Sequence, residues 1–194
     1  MAKRQKVAPA HVFMEYFGAG TPYRPFSEAD ETRLGERLPN VMKTILKKDG
    51  WCSYRDQVLW LCDPDDWVPA ARAWMPECVD ADVLVRSGFG DLFVWDGGNF
   101  WFVNVHTATA MMMVPDADWF FSQSLTDKEF APSTHLPERL AKAREQAGPL
   151  EWDEMYAYTP ALAIGGSQET SKIERVKARE AQAMLAKLAP LKRC

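Results

Sequence analysis

Residues 83–114, VLVRSGFGDLFVWDGGNFWFVNVHTATAMMMV, constrain the fold more than any other stretch of the chain. β-branched and aromatic residues cluster in short runs, separated by the glycine-bearing segments GFGD (88–91) and DGGN (96–99). That pattern predicts three or four antiparallel strands joined by tight connections. Glycine clusters also build phosphate loops, but those need a strand before the glycines and a helix N-terminus after them, so that backbone N–H groups point at the anion. Here GFGD runs into LFVW, another strand, with no GK[ST] and no lysine nearby. The glycines are therefore expected to permit an unusual backbone in a sheet turn, with Asp91 hydrogen-bonding locally.

Helical patterns flank this run. In AHVFMEYFG, Val12, Phe13, Tyr16 and Phe17 share one face. SEADE opens a second helix with Ser27 as N-cap, and LPNVMKTILKKDG supplies a third, closed by Gly50. AGTPYRPF reads as a turn and VLWLC (58–62) as a buried strand. DPDDW starts the next helix: Asp63 caps it, Pro64 suits its first position, and Asp65 and Asp66 complement its dipole. ADWFFSQSL, HLPERLAKAREQA and SKIERVKAREAQAMLAKL are expected to be helices. The last would bury Ile173, Val176, Ala183, Met184 and Leu188, and the tail PLKRC would fray. The fold class is α+β: an N-terminal helical part with one strand, packed on an antiparallel sheet flanked by helices.

Length permits one sizeable core or two small subdomains sharing one (194 residues). No apolar run approaches the roughly 20 residues of a membrane span. MAKRQKVAPAHVF lacks the apolar segment of a secretion signal, so a cytoplasmic location is expected. Cys52, Cys62, Cys78 and Cys194 form no CxxC pair, and His11, His106 and His135 are scattered. Reduced thiols and no metal or other cofactor follow. Charge is segregated. Residues 1–50 carry 9 Lys/Arg against 6 Asp/Glu, residues 51–134 carry 4 against 13, and residues 135–194 carry 10 against 8. An acidic middle block, net −9, repels nucleic acid and attracts a basic protein.

Catalytic signals are weak. DPDD offers oxygen ligands for Mg²⁺ or Ca²⁺, but the spaced acids and distal glutamate of an EF-hand are missing, and helix capping already accounts for these residues. A small metal-dependent or hydrolytic enzyme using Asp63–Asp66 and Asp91 is the alternative. Ser87 or Ser122 with His106 and an aspartate would make a triad only on paper, since no GxSxG elbow is present. No catalytic residue is assigned. Several tryptophans adjoin acids, however, as in Asp66-Trp67 and Asp118-Trp119. Aromatic anchors ringed by carboxylates suit recognition of a basic protein, which makes Asp65, Asp66, Trp67, Asp116, Asp118 and Trp119 the candidate partner-binding residues.

The order of the motifs is itself informative. FMEYFG, PFSEADETRLGERLPNVMKTILKKDGWCSY and VLWLCDPDDWVPAARAW together resemble the GAD-like domain of bacterial proteins. VRSGFGDLFVWDGGNFWFVNV through YAYTPALAIGGS and the closing helix look like the small domain usually fused to it, as in immunity proteins of type VI secretion DNase effectors. The resemblance covers about residues 10–190, with Trp67 standing where tyrosine is the commoner residue. It implies a GAD-like domain over 8–78 and an immunity-type α+β domain over 79–190. It also implies a cytoplasmic antitoxin that binds a cognate basic nuclease toxin, with no catalysis and no direct contact with nucleic acid or membrane. Phe17-Gly18, Leu38-Pro39, Trp60, Pro64-Asp65-Asp66, Gly90-Asp91 and Trp95 carry the resemblance as scaffold positions.

Overall fold

The computed structural model describes residues 8–128, 136–168 and 172–193. His135, Cys194 and the basic opening lie outside the described residues. Seven strands, β1 (Thr21–Arg24), β2 (Trp51–Tyr54), β3 (Leu59–Leu61), β4 (Asp82–Ser87), β5 (Leu92–Trp95), β6 (Phe100–Asn104) and β7 (Thr109–Val114), form one antiparallel sheet in chain order. The strand expectation for 83–114 is met by β4 to β7, the first of which begins one residue earlier, at Asp82. At the DGGN turn, the Asp96 carboxylate accepts from Gly98 N (3.0 Å), Asn99 N (2.7 Å) and Trp101 Nε1 (2.8 Å), fixing the β5–β6 connection.

Helices α1 (Pro9–Phe17), α2 (Glu28–Leu34), α3 (Asn40–Asp49) and α4 (Pro64–Trp74) occupy the places the sequence indicates. Ser27 and Asp30 form a reciprocal capping box at α2, and Asp63 caps α4 by accepting from Asp65 N. Next, α5 (Ala117–Trp119) runs into a π-helical turn (Phe120–Ser124), and α6 spans Pro137–Ala147. Strands β8 (Glu154–Thr159) and β9 (Lys172–Lys177) make a separate antiparallel pair. Then α7 (Ala178–Leu188) leads to a two-residue strand, β10 (Lys192–Arg193), parallel to β7.

Three expectations need correction. The N-terminal part contributes three strands, not one, because AGTPYRPF contains β1 and WCSY is β2. β1 carries Pro22, which cannot donate to a ladder and is tolerated at the sheet edge, where β1 lies. The first part of the expected last helix is β9: Ile173 is buried from a strand, while α7 buries Ala178, Ala181, Gln182 and Leu185 and leaves Met184 exposed. PLKRC is held at Lys192–Arg193 instead of fraying, through pairing with Thr109 and Ala110.

The sheet separates two cores. On one face Leu84, Phe93, Phe100 and Phe102 pack with α1, α3 and Phe120–Phe121 of the π turn. Facing the other way, Val83, Leu92, Val94 and Val103 meet Trp67, Ala71 and Trp74 of α4 and Ala178, Ala181 and Leu185 of α7. Alternation along β5 and β6 produces this division, since successive strand residues point to opposite faces. A third cluster joins Val58, Trp60 and Phe89 to Leu140 of α6 and to Tyr156 and Tyr158 of β8. The sheet runs unbroken across the 78/79 division, since β3 pairs with β4 through Leu59↔Ser87, Trp60↔Arg86 and Leu61↔Val85.

Candidate interaction surface

The acids of DPDD are already engaged. Asp63, 4% exposed, accepts from Arg24 Nη2 (2.5 Å) and from Arg33 Nη1 (3.1 Å) and Nη2 (2.7 Å). Asp30 also binds both arginines. Burial works against its charge, yet bonds from Ser27, Arg24 and Arg33 hold its carboxyl well below the usual carboxylate range. Asp65 is exposed but accepts from Arg33 and, at 2.8 Å, from Arg37, and the Arg37 bond above all lowers its pKa. Arg37 in turn chelates Asp82 at 3.0 and 2.6 Å. These bonds tie β1, α2, α4 and β4 into one ion-pair lattice. Asp66 is less committed: burial and the neighbouring Asp63 raise its pKa, and its contact is Arg179 at 4.0 Å. Trp67 is 3% exposed and packs on α7, so it belongs to the core and not to a surface. The reason is helical: one position after Asp66, its side chain turns inward against the sheet.

The GFGD turn is a junction within the fold. Gly88 N donates to Val58 O (3.1 Å), Gly90 N to Ser87 O (3.0 Å) and Asp91 N to Ser87 Oγ (3.1 Å), so these amides are not offered to an anion. Its carbonyls hold the rest of the chain: Gly88 O accepts from Tyr156 N (3.0 Å), and Gly90 O from Gln182 Nε2 (2.7 Å). Gly90 has φ +82°. Gly88 instead needs closeness, because a Cβ there would lie 2.1 Å from Leu140 Cδ1 and 2.7 Å from Gln57 O. Asp91 is buried, which pushes its pKa up to about 7, against bonds from Val105 N and Ser87. His106, also buried, bonds the Phe89 carbonyl through Nε2 (2.8 Å), and burial brings its pKa down to about 4. Ser87, Asp91 and His106 are each at most 5% exposed, and the imidazole is bonded to that carbonyl rather than oriented for a nucleophile. Among the described residues no group of three or more His, Cys, Asp or Glu is placed to hold a metal ion.

A different region is open. Asp116 caps α5, accepting from Trp119 N at 2.6 Å, and Asp116 and Asp118 are both exposed. Trp119 is 58% exposed, an unusual position for so large an apolar ring. On one side of this ridge lies a cleft of about 570 Å³ whose lining includes Glu36, Asp80, Asp82, Asp116 and Asp118 with one cation, Arg37. On its other side, Trp119 and the π turn wall a groove of about 670 Å³ along Met111–Val114. Of the six residues singled out in the sequence, Asp116, Asp118 and Trp119 thus stand together. Asp65 reaches the same cleft only through Arg37 and Asp82, while Asp66 lies toward α7. Glu36, Asp80 and Asp82 were not singled out, because nothing in their local sequence foretells that the sheet brings them beside α5.

Residues 10–109 match the model of the GAD-like domain, and this chain belongs to the GAD-like domain family. Residues 118–189 match the family described as T6SS immunity protein Tdi1, C-terminal, so the chain joins a GAD-like domain to an immunity domain of the type VI secretion system. The second match begins at Asp118, within the ridge. No curated protein matches the chain. Among solved structures, the crystal structure of Atu4351 from Agrobacterium tumefaciens is similar over 94% of this chain and 90% of that chain, with a TM-score of 0.70 and 16% identity, and shares its fold. Among the described residues no helix is long and apolar enough to cross a membrane.

Proposed function

We propose that this protein neutralises a cognate DNase toxin by stoichiometric binding in the cytoplasm, without catalysis of its own. The observation that carries the reading is the match of 118–189 to a type VI immunity domain behind a GAD-like domain. The charge pattern supports it. A nuclease presents lysines and arginines to phosphate, and beyond the Arg37–Asp82 pair the cleft beside α5 offers the carboxylates of Glu36, Asp80, Asp116 and Asp118. Exposed Trp119 supplies an aromatic anchor next to those acids, the arrangement in which steering and desolvated contact cooperate. Asp116, Asp118 and Trp119 are the proposed contacts, and Asp66 a peripheral one. Asp65, neutralised by Arg33 and Arg37, contributes less steering.

The test uses a nuclease toxin sought among the reading frames that adjoin the one encoding this protein. Co-expression should restore growth of a bacterial host that the nuclease alone kills, and the two purified proteins should form a stable complex that leaves plasmid DNA intact. Asp116→Lys with Asp118→Lys should slow association about tenfold at low salt and less at high salt, because charge reversal at a rim acts through encounter. Absence of a complex, or DNA cleavage unaffected by excess protein, would refute the proposal.

A further inference from the structure

We infer that the outer edge of β7 accepts an extended, basic segment of the toxin as an added strand, a step that rests on the toxin-binding reading above. β10 pairs only with Thr109 and Ala110. Beyond them, among the described residues, no strand lies on the outer side of Met111–Val114. Met111 pairs with Phe102 on one face of the sheet, and Met112 with Trp101 on the other. Successive residues face opposite ways, yet Met111 is 43% and Met112 52% exposed, so the cover on both faces stops short of this edge. Natural edge strands usually carry charges or proline to prevent unwanted pairing. Thr109–Val114, TAMMMV, has neither. The register shift opposite Phe100 and Trp101 is the one irregularity in it, and it leaves Met113 and Val114 packed inward on the core.

The groove beside the strand gives an added chain somewhere to place side chains. Met112 and Trp119 flank it, and methionine adapts its shape to varied apolar partners. Main-chain bonds to the open edge would supply affinity, and alternate side chains entering the groove would supply selectivity. Charge selects the occupant. Asp116 and Asp118 share a turn with Trp119, and the acidic cleft lies just beyond them. A second copy of this chain would bring the same acids to the same edge, whereas a lysine- or arginine-bearing segment with an apolar residue satisfies both groove and rim.

Hydrogen exchange on the complex with the active-site-inactivated nuclease tests this directly. The outward-facing amides of 111–114, those not bonded to β6, should exchange at least about tenfold more slowly in the complex, while those of Thr21, Tyr23 and Arg24 on the opposite edge strand stay unchanged. Met112→Lys and Trp119→Ala should each speed dissociation about tenfold or more and leave the unfolding temperature where it was, since both side chains are exposed. A complex that protects DNA yet leaves these amides and the dissociation rate of Met112→Lys unaffected overturns the edge assignment and leaves toxin binding standing, whatever Trp119→Ala does. A nuclease that does not bind the wild-type protein overturns both. Protection of 111–114 in the protein alone, rising with its concentration alongside dimer formation, would assign the edge to a second copy and also overturn the proposal.

Discussion

Replacing Gly88, Gly90 or Gly97 by alanine separates the roles of the GFGD and DGGN turns. Gly97, at φ +88° with nothing within 4 Å of where a Cβ would stand, measures left-handed strain alone, about 1 kcal/mol. Gly90 adds to that strain a Cβ 2.5 Å from Met155 Sδ and Cε, which a flexible side chain absorbs in part, giving about 1–3 kcal/mol. Gly88 carries no such φ strain, but its Cβ meets the backbone oxygen of Gln57 at 2.7 Å. That residue cannot retreat, because its side chain is pinned to the Leu150 backbone by bonds of 2.6 and 2.8 Å. Overpacking of about 1–3 kcal/mol then adds to weakened Gly88–Val58 and Tyr156–Gly88 bonds worth about 1 kcal/mol each. Gly88→Ala should therefore cost roughly 2–4 kcal/mol, on the order of 5–15 °C in melting temperature for a chain of this size. Urea and thermal unfolding followed by tryptophan fluorescence give the numbers, and inorganic phosphate should rescue none of the variants. If Gly88→Ala unfolds within about 0.5 kcal/mol of the wild type, the turn is not wedged between α6 and the β2–β3 connection, and the packing argument fails.

Two further outcomes follow from buried charge. Asp91, with its pKa raised to about 7, contributes stability that is full below the ordinary aspartate value and lost as pH rises through 7. Asp91→Asn should therefore gain on the wild type between pH 5 and pH 8 in urea titrations. His106 has the opposite sign: its stability is full above pH 6.5 and lost as pH falls toward 4. In the arginine lattice, Asp63→Ala removes both the α4 cap and the acceptor of two guanidinium groups, and should cost about 2–3 kcal/mol by chemical unfolding. Asp65→Ala, at an exposed and solvent-screened site, should cost less than about 1 kcal/mol.

Local signals carried much of this architecture. The β4–β7 run, the Ser27 and Asp63 caps and the helices on either side all announce themselves within a few residues. What escaped were elements whose residues mislead locally. β1 holds a proline, and in β9, KIERVK, the helix formers Lys, Glu and Arg outnumber Ile173 and Val176, so that its extended form shows only in the pairing with β8. The lattice of Arg24, Arg33 and Arg37 with Asp30, Asp63, Asp65 and Asp82 spans up to 45 positions, so no spacing rule reveals it. The same distance explains the surface. Asp-Trp adjacency identified Asp118-Trp119, which the fold leaves exposed, and Asp66-Trp67, where the tryptophan is buried. Adjacency tells which side chains are neighbours along the chain but not which way each one faces.

The Ser87–Asp91 turn also bears on how such a chain is made. Emerging from a ribosome, the sheet through β7 is complete long before Tyr156 and Gln182 arrive to occupy Gly88 and Gly90. Until then Val83, Leu92, Val94 and Val103 lack the α7 residues that cover them, and Phe89 lacks Tyr156 and Tyr158. A polypeptide released early thus exposes a broad apolar face and is prone to aggregate or be degraded. Cutting between the two family segments would likewise strand each half without the surface that completes it. The sheet is covered only once α7 has docked, so its synthesis is the step that separates a vulnerable nascent polypeptide from a durable one.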